Sequence, residues 1–451
     1  MSEEKRDNQH KGFKREIGLF GGISVIGGIV IGSGVFYLGS YVLQYVGMSQ
    51  GMALICWLIA GVLSLLGGLC YSELGAAFPK SGGAIHYLSE AFHPVFGSLL
   101  GYSAFLIGYP ASSAALALAL VTSLFGNSLD PWGMKLIASA IIIALCVYNY
   151  FGVKLSNILQ SVSMVAKLAP LIILIIAGLF IGDVKPDLSL TVQEASGGSQ
   201  LGMIALGIMA SLWAFEGWTN LNFVAEEIKE PGKNLPLAII LSLSGITALY
   251  ALFNYVIFKI LPLATIHHDL EAGNLYLGTL AANELLGQTG SILVVVCMAF
   301  AIFGSLNGTI WTGPRLYYAM AQENHWFKVF GKLDPKTKVP YVGFIAEAIL
   351  TVLFICFNSL QDLTILVAFA SLIFNSMTVL AVPILRKKLP NTPRPYKVWL
   401  PFVYIYLAAE IILIIYTLMT DTRNSLIAIA AQVIGLAIYA AFEFRNRRQA
   451  N

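Results

Sequence analysis

The sequence predicts an all-α membrane protein of twelve transmembrane helices, built as two inverted five-helix repeats followed by two C-terminal helices. Three observations predict it. Of 451 residues, 57% are hydrophobic and 11% charged, with a mean hydropathy of +0.76, whereas a soluble domain has about 45–50% apolar and about 25% charged residues. The roughly 257 apolar residues come in long continuous runs, enough for about eleven to thirteen spans of ~20–25 residues, and lack the in-out alternation of a barrel. Two of these runs are interrupted by glycine at corresponding points, about fifteen residues in. The same arithmetic excludes an ordinary soluble enzyme.

Taken in order, apolar windows of helical length fall at 17–45, 51–78, 94–125, 132–151, 155–180, 201–223, 235–260, 288–320, 339–358, 360–385, 400–419 and 424–444. The first five make one half, 17–180, and the next five a second, 201–385; the last pair occupies 400–444. An odd number of spans per half forces the halves to be inverted. Polar tails, 1–16 and 445–451, flank the whole. The N-terminal tail carries Lys5, Arg6, Lys11, Lys14 and Arg15, and the C-terminal one Arg445, Arg447 and Arg448, so both termini are expected to be cytoplasmic by the positive-inside bias. The apolar run after residue 16 continues without a cleavage site, which predicts a retained span. The longest connection on the other side, Leu261 to Gly287, has no Lys or Arg and reads as a lid or a solvated loop.

A net charge of +3 and the lack of a basic block argue against nucleic-acid partners. The five cysteines stand singly in apolar runs, with neither a CxxC pair nor histidines at ligand spacing, so neither a disulfide framework nor a metal site is indicated. No cofactor is expected. No HExxH, GxSxG or P-loop occurs.

The first interruption, Gly27-Gly28-Ile29-Val30-Ile31-Gly32-Ser33-Gly34, reads either as close helix packing or as an unwound stretch whose freed N–H groups at a half-helix N-terminus hold a carboxylate. Gly-Ser-Gly favours the second, because packing motifs place small residues four apart. The second interruption, Ser211 to Trp218, sets Glu216 at bilayer depth, where an acid costs roughly 2.5–3.5 kcal/mol unless it faces protein or water. Trp213 and Phe215 beside it read as core aromatics or as gates over a ligand. Lys167 lies about 18 Å along the fifth span at 1.5 Å per residue, too deep to snorkel, and should face carbonyls, Glu216 or a would-be cation position. Lys167 and Glu216 thus stand out as the charges at mid-depth. In the eighth span, Gly304 to Thr309 could face the first span, and Arg315 could meet Glu226, Glu227 or lipid phosphate.

Ile31-Gly32-Ser33-Gly34-Val35-Phe36 resembles the I-G-S-G-I-F signature of the first helix in the amino acid-polyamine-organocation superfamily. Glu73-Leu74, Pro79-Lys80-Ser81-Gly82-Gly83 and Tyr87-Leu88 resemble its second-helix and loop motif. Gly217 to Glu227, with Asn234 to Ile239, is similar to the L-type amino acid transporter subgroup, as are Gly304 to Gly308 and Arg315.

The resemblance implies the leucine-transporter fold, residence in the plasma membrane and sodium-independent exchange of amino acids by alternating access. It implies that Gly32, Ser33 and Gly34 hold the substrate carboxylate. Val30, Ile31, Trp213, Ala214 and Phe215 would take the amino group, Trp213 would gate, and Lys167 would replace a sodium ion. Glu216 departs from the small residue of many L-type members. It lines the side-chain pocket and suits either a small neutral substrate or, alternatively, a cationic amino acid or polyamine. Ile85 departs from a tyrosine of the loop motif. Asn127, Ser128 and Asp130 stand where animal relatives carry a cysteine for a glycoprotein heavy subunit, so no such partner is implied. The expected partners are amino acid substrates and the lipid bilayer.

Overall fold

The computed structural model describes residues 15, 17–32, 34–79, 83–126, 128–151, 168, 171–191, 199–223, 225, 228–322, 326–337 and 339–450. Among them the backbone is helical throughout, apart from connections and one isolated parallel bridge between Ile17 and Ile228. The first predicted span is two helices, α1 (Leu19–Val30) and α2 (Gly34–Tyr45), bent by 55°. Then come α3 (Gln50–Ala77), the short α4 (Ala84–Ala91), α5 (Pro94–Phe125), α6 (Pro131–Phe151) and α7 (Leu171–Ile181). The second part begins with α8 (Gln200–Phe215) and α9 (Asn220–Phe223), followed by α10 (Pro231–Ile260), α11 (Leu263–Glu271) and α12 (Leu277–Gln322). The chain closes with α13 (Tyr341–Phe357), α14 (Leu360–Lys388), α15 (Leu400–Thr420) and α16 (Thr422–Ala450).

Among the described residues, nine helical stretches are long and apolar enough to cross a bilayer, and the bent α1–α2 pair makes a tenth. Within the span predicted at 155–180, residues 155–167, 169 and 170 lie outside the described residues and α7 is the described helix; the span predicted at 339–358 is the shorter apolar helix α13. Lipid exposure explains the surface. On α13, Ile345, Ile349 and Leu353 share one face at helical spacing and are 56%, 57% and 48% exposed, while Glu347 on the opposite face is fully buried. That apolar-out arrangement across α6, α13, α15 and α16 suits a bilayer and would aggregate in water.

Helix ends follow local chemistry. Ser49 caps α3 by accepting from Met52 N at 3.3 Å, and Ser199 caps α8 by accepting from Gly202 N at 3.1 Å. Ser359 and Asp362 form a reciprocal capping box at the start of α14. Within α5, residues 104–108 form a π-type turn immediately before Pro110, which has no N–H to donate.

The 261–287 connection is not an open loop. α11 fills it with Ile266 and Leu270 buried on one face, and Gly287 at φ +65° marks the kink within α12. Periodicity is hard to read there because acids and histidines occupy its other face.

Two sets of helices pack tightly within themselves. In one, α3 and α10 approach closely because Gly61 and Gly68 leave room for Thr247 and Ile239, and α1 meets α10 at Gly22 and Ala238. In the other, Glu347 of α13 accepts from Ser113 Oγ of α5 at 3.1 Å and from Tyr317 OH of α12 at 2.6 Å, and Asn149 of α6 donates to Asn307 of α12 at 2.8 Å. The two broken spans lie in the first set and face α12 of the second.

Candidate substrate site

The first break follows from its glycines, which gain little from a helix and cost about 1 kcal/mol each there. α1 ends at Val30. Ile31 N donates to Gly27 O at 3.2 Å, and Gly32 N turns back to Val30 O at 2.8 Å. α2 starts at Gly34, so its first-turn N–H groups have no acceptor within their own helix. The second break is of the same kind. α8 stops at Phe215, Glu216 is extended, Gly217 takes φ +112°, and a turn leads into α9, with Asn220 Nδ2 satisfying Gly217 O at 2.9 Å.

The breaks touch. A Cβ on Gly34 would lie 3.0 Å from Ala214 Cα, and one on Gly217 would lie 2.5 Å from Ile29 Cγ2. Tyr250 of α10 joins them, its hydroxyl 3.0 Å from Val30 O and 3.2 Å from Ala214 O. Its ring is held edge-on by Trp57 at 5.5 Å and Phe215 at 5.2 Å between centroids. Trp213 is buried and donates from Nε1 to Tyr37 OH at 2.9 Å. From the facing α12, Ser305 Oγ sits 3.6 Å from where a Gly32 Cβ would be, as the small hydroxylated residues of that span suggest.

Val30, Ile31, Gly32, Gly34, Trp213, Ala214, Phe215 and Glu216 therefore gather at one locus. Ser33, Lys167, Glu226 and Glu227 lie outside the described residues. Phe215 is a core aromatic, fully buried against Trp57 and Tyr250. Glu216 lines a small cavity with Ser64, Ser371, Asn375, Tyr406 and Glu410. Arg315 stacks on its own helix neighbour Trp311, 3.9 Å from the ring centroid. Among the described residues, no three His, Cys, Asp or Glu gather to hold a metal ion.

The expectation that Lys167 and Glu216 are the standout charges needs correction. Glu73, Glu347 and Glu410 are acids inside apolar spans and are buried as well. Glu73 is bound by Arg386 Nε at 2.8 Å and by Val398 N at 2.8 Å, with Arg394 at 3.6 Å. An acid within an apolar window was a readable signal for all three. Tyr250 offered none, since a tyrosine in an apolar run looks like any core aromatic.

Comparison with known proteins decides the family, because a model of the family described as amino acid permease matches residues 17–439. The chain belongs to the amino acid permease family. The resemblance carried by the first-helix and loop motifs thus holds, and the permease is a multi-pass membrane transporter of the amino acid-polyamine-organocation superfamily, not an enzyme. It is 33% identical over 448 residues to the serine/threonine exchanger SteT of Bacillus subtilis (strain 168), covering 97% of this permease and 99% of that protein. It is 31% identical over 443 residues to the b(0,+)-type amino acid transporter 1 of Mus musculus, covering 96% and 88%. To the large neutral amino acids transporter small subunit 2 of Mus musculus it is 32% identical over 434 residues, covering 94% and 80%.

Proposed function

We propose that this permease exchanges small neutral L-amino acids across the plasma membrane without sodium, by alternating access of one site, with both termini cytoplasmic. The observation that carries this reading is the contact between the two broken helices. A zwitterion needs donors for its carboxylate and acceptors for its ammonium within a few ångströms, and abutting helix ends supply both. In this reading Gly32, Ser33 and Gly34 hold the carboxylate through main-chain N–H groups at the start of α2. Carbonyls of Val30, Ile31, Trp213, Ala214 and Phe215 take the ammonium, with Trp213 closing over it, and Lys167 stands in for a coupling cation. The breaks are the first members of two inverted repeats, 17–180 and 201–385, with 400–444 appended. A serine/threonine exchanger among the relatives supports a small neutral substrate.

The test is counterflow in proteoliposomes. Radiolabelled serine should enter sodium-free vesicles only when they are preloaded with unlabelled amino acid; uptake into empty vesicles, or a strict need for external sodium, would overturn the reading. A second reading, transport of a cationic amino acid or polyamine, is favoured by Glu216 beside a second acid, Glu410. It expects arginine or putrescine uptake that Glu216→Gln abolishes, and an unchanged rate would remove it.

A further inference from the structure

The indole beside the second break is tied to the first. Trp213 lies two residues before the end of α8 and donates from Nε1 to the hydroxyl of Tyr37 at 2.9 Å. Tyr37 is the fourth residue of α2, just beyond the first break. The bond therefore links one helix end to the other, next to the close approach of Gly34 to Ala214. Tyr37 is fully buried and Trp213 only 8% exposed. In such a place an indole N–H needs an acceptor, and leaving it without one costs more than the bond itself contributes.

Tyr37 is in turn held in position. Tyr41 meets its ring edge-on at 6.0 Å and Tyr276 at 6.2 Å between centroids, and Tyr276 OH donates to Ala119 O of α5. A line of contacts thus runs from Trp213 on α8, through two tyrosines, to α5 in the facing set of helices. With Tyr37 fixed from behind, the indole moves aside only by breaking its bond.

That requirement acts on the substrate. A side chain that fits beneath the indole leaves the bond intact, whereas one that needs the ring's space must break it and leave a buried donor unpaired. An unpaired buried polar group discriminates more strongly than a small difference in apolar fit. We propose, building on the reading that Trp213 closes over the substrate, that Tyr37 is a positioning residue for the amino acid site. It holds Trp213 by the indole N–H and so sets how large a side chain the closed site admits.

The experiment uses purified full-length permease and reads binding rather than transport. Affinities for serine and for leucine are taken separately from the rise of Tm with each amino acid's concentration. Tyr37→Phe keeps the ring and removes the acceptor. It should raise the affinity for leucine relative to serine by about tenfold, equivalent to about 1.4 kcal/mol. A merely structural role would lower the Tm of the free protein and leave that ratio alone. In a Trp213→Phe background, which has no N–H to hold, Tyr37→Phe should change the ratio no further. Should Tyr37→Phe fail to fold, Tyr276→Phe removes the anchor on Ala119 and should raise the same ratio in part. An unchanged ratio in the variant that folds overturns the proposal, as does a change that persists undiminished in the Trp213→Phe background. Serine binding without counterflow removes the exchange reading and leaves the role of Tyr37 to the ratio. Counterflow with an unaltered ratio removes the role of Tyr37 alone, and a wild-type Tm that neither amino acid moves removes both.

Discussion

Tyr250 carries out its work with one oxygen. Its hydroxyl is within hydrogen-bond reach of Val30 O and Ala214 O, two carbonyls that lost their helical partners at the breaks. Tyr250→Phe keeps the ring in place between Trp57 and Phe215 and removes only that O–H. Val30 O keeps Gly32 N as a donor, but Ala214 O is left without one; leaving a buried acceptor unpaired costs about 1–3 kcal/mol, so Tm should fall, and exchange should fall with it because the geometry of the breaks loosens. An unchanged Tm would mean that water replaces the phenol there. Gly217 makes a second case. At φ +112° an L side chain is strained by about 1–3 kcal/mol, and a methyl would press on Ile29 Cγ2. Gly217→Ala should therefore destabilise, and adding Ile29→Ala should restore only the steric part. Full rescue by Ile29→Ala would show that the backbone strain counts for little.

Connections between helices can be tested in the same way. Glu73 near the end of α3 binds Arg386 of α14 and the backbone at Val398 before α15, tying three elements to one carboxylate. Breaking a buried pair by removing one charge costs about 3–5 kcal/mol. Glu73→Gln should lower Tm sharply, and a small change would place the strength of this junction in the surrounding apolar packing. In the connection after α12, Asp334 accepts from Lys336 N and Thr337 N at 2.9 Å and from Tyr150 OH at 2.8 Å. These bonds hold its carboxyl down at about 2. A depressed acid contributes above its ordinary pKa and loses that contribution only as pH falls through the lowered value, so the tie should persist throughout pH 4–8. Limited proteolysis at Lys332 and Lys336 should be slow across that range and fast in Asp334→Ala; cleavage that accelerates already at pH 5 would contradict it. How far such features can be read in advance depends on their range. The breaks are legible because glycines and an acid in an apolar run have no use in a lipid-facing helix. The meeting of Gly34 with Ala214, the bridge from Tyr250 and the pairing of Glu216 with Glu410 are set by packing between segments far apart in sequence, which no local pattern encodes.

In the whole molecule, the candidate site lies at a seam between two sets of helices that are each locked internally, one through α3 and α10, the other through Glu347 and Asn149. A close-packed unit moves as a body rather than deforming, so alternating access should consist of one set rocking against the other. The start of α12 and the residues before it touch both. Ser40 of α2 donates to Leu275 O, Tyr37 of α2 meets the Tyr276 ring at 6.2 Å, and Tyr276 OH donates to Ala119 O of α5. If rocking opens this end, that contact must separate in every cycle. A short bifunctional thiol reagent joining Ser40→Cys to Leu275→Cys should then stop exchange, and a reducible reagent should allow recovery when cleaved. The half-buried Cys297 and Cys356 are replaced by serine first to remove background. Neither single-cysteine variant should respond to the reagent. Full exchange with the cross-link in place would show that the two sets stay joined here, and that the path to the site opens elsewhere along the seam.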